Sequence, residues 1–274
     1  MEALPLPEKY EIKKISDKQA NIIIEPCYPG YGTTLGNALR RVLLSSLPGS
    51  AICAIKIKGA THEFSTLPGV KEDIVGIILN LKQLRFKLNG VEETKASLKV
   101  KGAKEVKAKD IQAKSELEII NPEAPIATLT DKTAELDMEL TIKSGRGYLP
   151  VESVEKKQLQ LGAIAIDAIF TPIRNVNYNI ESVRVGQMTN YDRLIIGITT
   201  DGTISPEEAL KEASQMLVDH YKTIITQSNK VAKEKGKKGE KVVKEKNELS
   251  AEKKQTEKTE GIKQKKKRGR PKKE

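Results

Sequence analysis

Side chains able to do chemistry are few in this sequence and far apart. The histidines are His62 and His220 and the cysteines are Cys27 and Cys53. Nothing here makes a Ser/His/Asp or Cys/His constellation, and without a CxxC pair neither a disulfide framework nor a zinc site is indicated. Both histidines read as structural or exposed side chains rather than ligands. Glu72 and Asp73 are paired acids, but at the opening of a helical run they have another purpose, because the helix dipole favours anions there. Gly30, Gly32 and Gly36 could form a glycine-rich loop cradling phosphate on a helix N-terminus. Their spacing is GxGxxxG, not the GxGxxG of a dinucleotide site, and the lysine and Ser/Thr of a P-loop are missing. The last candidate is basic. Residues 231–274 hold 18 of the 48 Lys and Arg and 8 of the 37 Asp and Glu, so the tail carries +10 and the rest of the chain +1. Attraction to nucleic-acid phosphate should therefore reside in the tail.

The elements that position these residues are legible from periodicity. With 38% hydrophobic residues, 4% aromatic and no Trp, the core must be aliphatic. The densest instruction is GYGTTLGNALRRVLLSS, Gly30 to Ser46. Gly30 and Gly32 permit a tight backbone, and Thr33 or Thr34 can cap the first turn. Leu35, Ala38, Leu39, Val42 and Leu43 then form one apolar stripe at helical spacing. Thr34, Asn37, Arg41 and Leu44 form a second ridge, polar, then basic, then greasy. A helix with two committed faces calls for two partners.

Before this helix, Asn21 to Glu25 reads as a strand ended by Pro26 and Pro29; after it, Pro48 and Gly49 end the helix. Cys53, Ile55 and Ile57 alternate as a strand, and His62 to Thr66 continues extended. Val70, Ile74, Ile77, Ile78 and Leu81 recur at helical spacing. Leu98 with Val100, and Leu117 with Ile119, are weaker strand signals, whereas Leu136, Met138, Leu140 and Ile142 alternate cleanly. Gly145-Arg146-Gly147-Tyr148 reads as a turn, Ala163 to Ile169 as an apolar return crossing, and Arg174 to Val185 and Leu194 to Ile198 as strands. Asp201-Gly202 has the signature of a chain reversal. Ser205, Pro206 and Glu208 then open a helix with agreeing cap signals. Its stripe of Leu210, Ala213, Leu217, Tyr221 and Ile224 is long enough to serve the first helix and a symmetric partner chain.

Three stretches, TLGNALRRVLLSSLPG (Thr34 to Gly49), GVKEDIVGIILNLK (Gly69 to Lys82) and GRGY (Gly145 to Tyr148), resemble the alpha subunit of bacterial and plastid RNA polymerase. With its flanking pattern the resemblance runs from about Pro26 to Gln227. It implies an α+β fold in which a discontinuous dimerisation domain, a sheet plus two helices from 1–49 and 173–230, carries an inserted, mostly β domain over 50–172. It also implies a non-catalytic subunit of the nucleotidyl-transferring enzyme. Such a subunit forms a homodimer and is the assembly platform for two large subunits. No cofactor belongs to this chain, and magnesium is expected in the large catalytic subunit. Positions matching the family's large-subunit contacts are Thr34, Arg41, Leu44, Asn80 and Lys82. The homodimer would form through the first and last helices, with Leu35, Leu39, Val42, Leu43, Leu210, Ala213, Leu217, Tyr221 and Ile224 as its interface.

The tail departs from the family, which commonly carries a small helical domain there. Residues 231–274 are lysine-rich and lack aromatics, a composition expected to stay disordered. Arg268, Gly269, Arg270 and Pro271 resemble the AT-hook, which lays arginines along a narrow minor groove; a lysine-rich solubilising segment is the other reading. This leaves an alternative function, a free-standing dimeric DNA-binding architectural protein, which accounts for the tail but not for the helix motifs. No basic-then-apolar leader or transit peptide is evident, and no apolar run nears about 18 residues. The expected location is the cytoplasm or nucleoid of a bacterium, or a plastid.

Overall fold

Alternating aliphatic residues make strands the dominant element of this chain. The computed structural model describes residues 4–60, 62–153 and 162–228. In chain order its elements are β1 (Lys9–Ser16), β2 (Gln19–Cys27), α1 (Tyr31–Ser45), β3 (Pro48–Ile57), α2 (Ile74–Leu81), β4 (Phe86–Leu88), β5 (Glu93–Lys101) and β6 (Lys104–Lys107). There follow β7 (Ile111–Gln112), β8 (Leu117–Ile119), β9 (Pro125–Leu129), β10 (Glu135–Arg146), β11 (Tyr148–Leu149), β12 (Ile164–Ala165), β13 (Ala168–Ile169), β14 (Ile173–Val185) and β15 (Met188–Thr200). The last element, α3, is helical from 206 to 228. The chain divides into two compact units, 1–217 and 218–274, and both large sheets lie in the first.

The smaller of these sheets has the order β1-β2-β15-β14, all antiparallel. Its inner face presents Ile22, Leu194, Ile196 and Ile198, none measurably exposed, to Leu39, Leu43 and Leu47 of the α1 region and to Ala209, Leu210 and Ala213 of α3. At about 1.5–3 kcal/mol for each large aliphatic side chain fully buried, this cluster is what holds the helices to the sheet. The larger sheet runs β7-β5-β10-β3-β4-β8, with β12 also on β3. Strand β10 shows the alternation read from the sequence: Leu136, Met138, Leu140 and Ile142 are buried in the second core. Its outer face pairs with β5 through Lys143–Glu93, Lys95–Glu139, Lys99–Asp137 and Lys101–Glu135 at 2.9–3.4 Å. Such partly exposed pairs add little stability each. They leave that face charged rather than greasy.

Several boundaries differ from the sequence reading, each for a local reason. Strand β2 passes through Pro26 to Cys27, because Ile22 to Ile24 are already locked to β15 and carry the chain on. No strand forms at 62–66, where His62 Nδ1 and Ser65 Oγ close a small loop at 3.2 Å. Helix α2 opens at Ile74, not near Val70, since Val70 is bridged to Leu129 and Asp73 caps the helix by accepting the Gly76 N–H at 2.7 Å. Glu72 is not a dipole partner but holds Thr128, accepting its N–H and hydroxyl at 2.6 and 2.9 Å. Asp201-Gly202 does not reverse the chain; it leads β15 into α3, and the β14–β15 reversal falls at Gly186, with φ of 60°. The cap of α3 is as read, with Ser205 Oγ receiving the Glu208 N–H at 3.3 Å and Glu208 Oε2 receiving the Ser205 hydroxyl at 3.1 Å.

Candidate functional site

Helix α1 is positioned by a residue far away in sequence. Gly30 takes φ of 84°, a left-handed conformation that suits glycine, and no side chain in the helix's own N-terminal segment caps it. Instead Asp192 of β15 reaches over, its Oδ2 accepting the N–H groups of Gly30 and Gly32 at 2.9 and 3.0 Å. The expectation that Thr33 or Thr34 caps the helix is therefore corrected: both lie on the exposed side, and the Thr34 hydroxyl donates back to the Gly30 carbonyl. Glycine at 32 and 36 is a matter of approach. A Cβ on Gly32 would stand 2.9 Å from Asp192 Oδ2, and one on Gly36 would stand 2.8 Å from the Tyr178 ring and 2.9 Å from Leu194. The helix can thus lie flat on its sheet.

That seating decides which residues α1 offers outward. Leu39 and Leu43 are 7% and 0% exposed in the chain's own core, with Leu35 and Val42 packed half-buried at its margin. Thr34, Asn37, Arg41 and Leu44, the second ridge, are all exposed. Beyond the helix, the Ser45 carbonyl lies 3.6 Å from the point where a Gly147 Cβ would be. The GRGY run is a structural corner. The Phe170 ring covers Gly145 so closely that a Cβ there would come within 2.7–2.8 Å of three ring atoms, and Gly147 takes φ of 66°. Tyr148 pairs with Ile169, two residues beyond Asp167, and its side chain is 58% exposed. Asp167 in turn accepts Lys82 Nζ at 2.9 Å. The Lys82 bond chiefly, with Tyr148 helping and partial burial opposing, holds the Asp167 carboxyl below its usual range.

Pairing of Arg146 with Pro48 and of Tyr148 with Ile169, together with the Lys82–Asp167 bond, links the segment after α1, the GRGY corner and the Lys82 end of α2. Asp167 and the exposed Leu79 were not singled out in the sequence, and Tyr148 and the exposed Ile169 were read there only as parts of a turn and of the return crossing. A lone acid inside the apolar run IAIDAIF was the signal for Asp167. Asn80 stands apart, since its Nδ2 donates inward to the Ile126 carbonyl at 3.0 Å. Among the expected interface residues, Leu39, Leu43, Leu210 and Ala213 are corrected to intramolecular core: they are at most 7% exposed without any partner. The apolar stripes are spent on the chain's own sheet, which periodicity cannot tell from a partner. Leu217 is half-buried against the same cluster. Within the second unit, Tyr221 and Ile224 are 56% and 59% exposed, alongside Val218 and Ile225 at 43% and 60%.

A further network crosses the outer face of the smaller sheet, where Glu25 receives Lys9 Nζ at 2.9 Å and also Arg193 Nε. Those two bonds, Lys9 first, pull the Glu25 carboxyl below its usual value. His62 and His220 are exposed. Among the described residues no group of three or more His, Cys, Asp and Glu could hold a metal ion, and no helix is long and apolar enough to cross a membrane. Residues 154–161 and 229–274, with Arg268, Gly269, Arg270 and Pro271, lie outside the described residues.

Comparison with known proteins gives a consistent result. The family model described as RNA polymerase Rpb3/RpoA insert domain matches residues 55–171. The DNA-directed RNA polymerase subunit alpha of Roseiflexus sp. (strain RS-1) is 51% identical over 216 residues, covering 79% of this chain and 66% of the relative. Those of Carboxydothermus hydrogenoformans and Alkaliphilus oremlandii are each 46% identical, covering 79% and 81% of this chain and 69% and 71% of the relatives. The chain thus spans about two thirds of the length of these curated relatives.

Proposed function

Since the chain belongs to the family of DNA-directed RNA polymerase alpha subunits, we propose that it is a non-catalytic assembly subunit that dimerises and gathers the two large subunits. The observation that carries this reading is the division of α1 into a face sunk in its own sheet and an exposed ridge of Thr34, Arg41 and Leu44. The GRGY corner pairs with Pro48, just after α1, and with Ile169, and Lys82 bonds nearby Asp167. An exposed arginine close to an exposed leucine on one helix face has the make-up of a recognition surface. Asn80 contributes by fixing α2 rather than by touching a partner.

For the homodimer the support is the exposed apolar stripe Val218, Tyr221, Ile224 and Ile225 in the second unit and, separately, the half-buried Leu35, Val42 and Leu217 in the first. We assign residues 1–49 and 173–230 to a dimerisation domain and 50–172 to an insertion domain, on the ground that each sheet closes its own apolar cluster. Nucleotidyl transfer, with its magnesium, falls to a large subunit, and the site of action is the cytoplasm or nucleoid. The Arg268 to Pro271 stretch is proposed to contact DNA as a secondary function.

Purifying a tagged copy from its native host tests the reading. Two large polymerase subunits should be retained after nuclease treatment. Retention of DNA alone, lost on nuclease treatment, would replace it with an architectural DNA-binding role.

A further inference from the structure

Where the two sheets meet, one arginine holds two elements at once. Arg85 lies between α2 and β4. Its Nη1 donates to the carbonyls of Lys82, the C-cap of α2, and of Leu84 in the turn that follows, each at 2.8 Å. Its Nε stands 3.4 Å from Asp201 Oδ2, and the two side chains are 16% and 5% exposed. Asp201 ends the smaller sheet: its Oδ1 accepts the Thr203 N–H and hydroxyl at 2.9 and 2.6 Å, and its own N–H donates to the Pro172 carbonyl at 2.9 Å. The main chain at Arg85 is tied as well, through its N–H to Asn121 Oδ1 and its carbonyl to the Ile120 N–H.

We propose that the Arg85–Asp201 pair is a positioning device for large-subunit docking: it fixes the Lys82 end of α2 relative to the sheet on which α1 lies, so that the docking residues of both helices are presented in one geometry. This rests on the reading of Arg41, Leu44 and Lys82 as docking residues. The physical ground is that a shielded pair resists one-sided loss, whereas an exposed pair constrains little. Only a planar guanidinium can engage the acid through one nitrogen and two carbonyls through another; lysine would keep the charge and lose the fork.

The test uses R85Q, D201N and the double variant in the full chain, with large subunits purified from the same host as the probe, well below the melting transition. Capture affinity should fall about tenfold in each single variant and no further in the double, as for two members of one unit. Hydrogen exchange should quicken at the amides of Lys82, Gln83 and Leu84, with dimer mass unchanged. A merely stabilising role would lower the melting temperature and quicken exchange across the core at large, without moving capture. Should R85Q fail to fold, R85K and D201N carry the test. Undiminished capture in the single variants, or additive loss in the double, overturns the proposal. R41A separates the two levels. If it loses capture while R85Q and D201N keep theirs, only the positioning role falls; if it too captures normally, the docking reading and this proposal fall together.

Discussion

Replacing Asp192 with alanine tests how the chain holds its most informative helix. The carboxylate accepts two amides at the N-terminus of α1, that of Gly30 in solvent and that of Gly32 partly buried, at 2.9 and 3.0 Å. No side chain at the helix's own N-cap substitutes for it. A lost cap costs about 1 kcal/mol, and a charged acceptor on a shielded amide contributes about 1.5–3 kcal/mol. With one of the two amides free to bond water, the expected loss for Asp192→Ala is about 1.5–3 kcal/mol. Asn keeps an oxygen acceptor and loses only the charge beside the helix dipole, so Asp192→Asn should lose about 0.3–1 kcal/mol. Urea unfolding at one fixed protein concentration gives both values, the concentration being held because dimerisation would add to apparent stability. Hydrogen exchange across residues 31–34 should quicken in the same order. A full-stability Asp192→Ala variant, or an Asn variant worse than Ala, would refute the argument.

Three further expectations follow from the same packing. Gly36→Ala, which in an isolated helix would gain about 1 kcal/mol, should instead lose about 1–3 kcal/mol by overpacking against Tyr178 and Leu194; a raised melting temperature would contradict it. Glu25 has its folded pKa depressed by Lys9 and Arg193, so its contribution to stability is present above the usual carboxylate value of 4.5 and is lost as pH falls through the lower folded value. Glu25→Gln should flatten that acid-side loss in melting temperature against pH, and an unchanged slope would remove the network from the account. Ile224→Asp alters a side chain that is 59% exposed, so the protomer should fold normally while light scattering reports loss of the dimer; an intact dimer would take this stripe out of the interface.

The strongest periodic signals were legible because burial and sequence period coincide. Leu136 to Ile142 read as a half-buried strand and is one, and the Ser205–Glu208 box opens α3 as its residue types require. The exposed ridge of α1 was visible for the same reason, as the face opposite Leu39 and Leu43. What the sequence concealed depends on tertiary contact. Asp192 caps a helix some 160 residues away, and no local spacing announces such a bond. Asp167 takes its meaning from Lys82 and Tyr148, which are remote in the chain. Asn80 and Lys82 are two positions apart and point to different tasks, one to the Ile126 carbonyl and one to the surface ion pair. Apolar stripes misled in a different way. Leu210 and Ala213 are as greasy as an interface needs, and the chain spends them on its own sheet.

The central claim is that α1 has one face for its own fold and another for a partner, and Arg41→Ala addresses it most directly. The side chain is exposed on the ridge and lies off the buried stripe. Dimer mass and melting temperature of the variant should match the parent, while equilibrium capture of the large polymerase subunits falls about tenfold or more, as for an arginine anchor at an interface. Capture at parental affinity by a normally folded dimer would contradict the account and leave the ridge as a solvated surface.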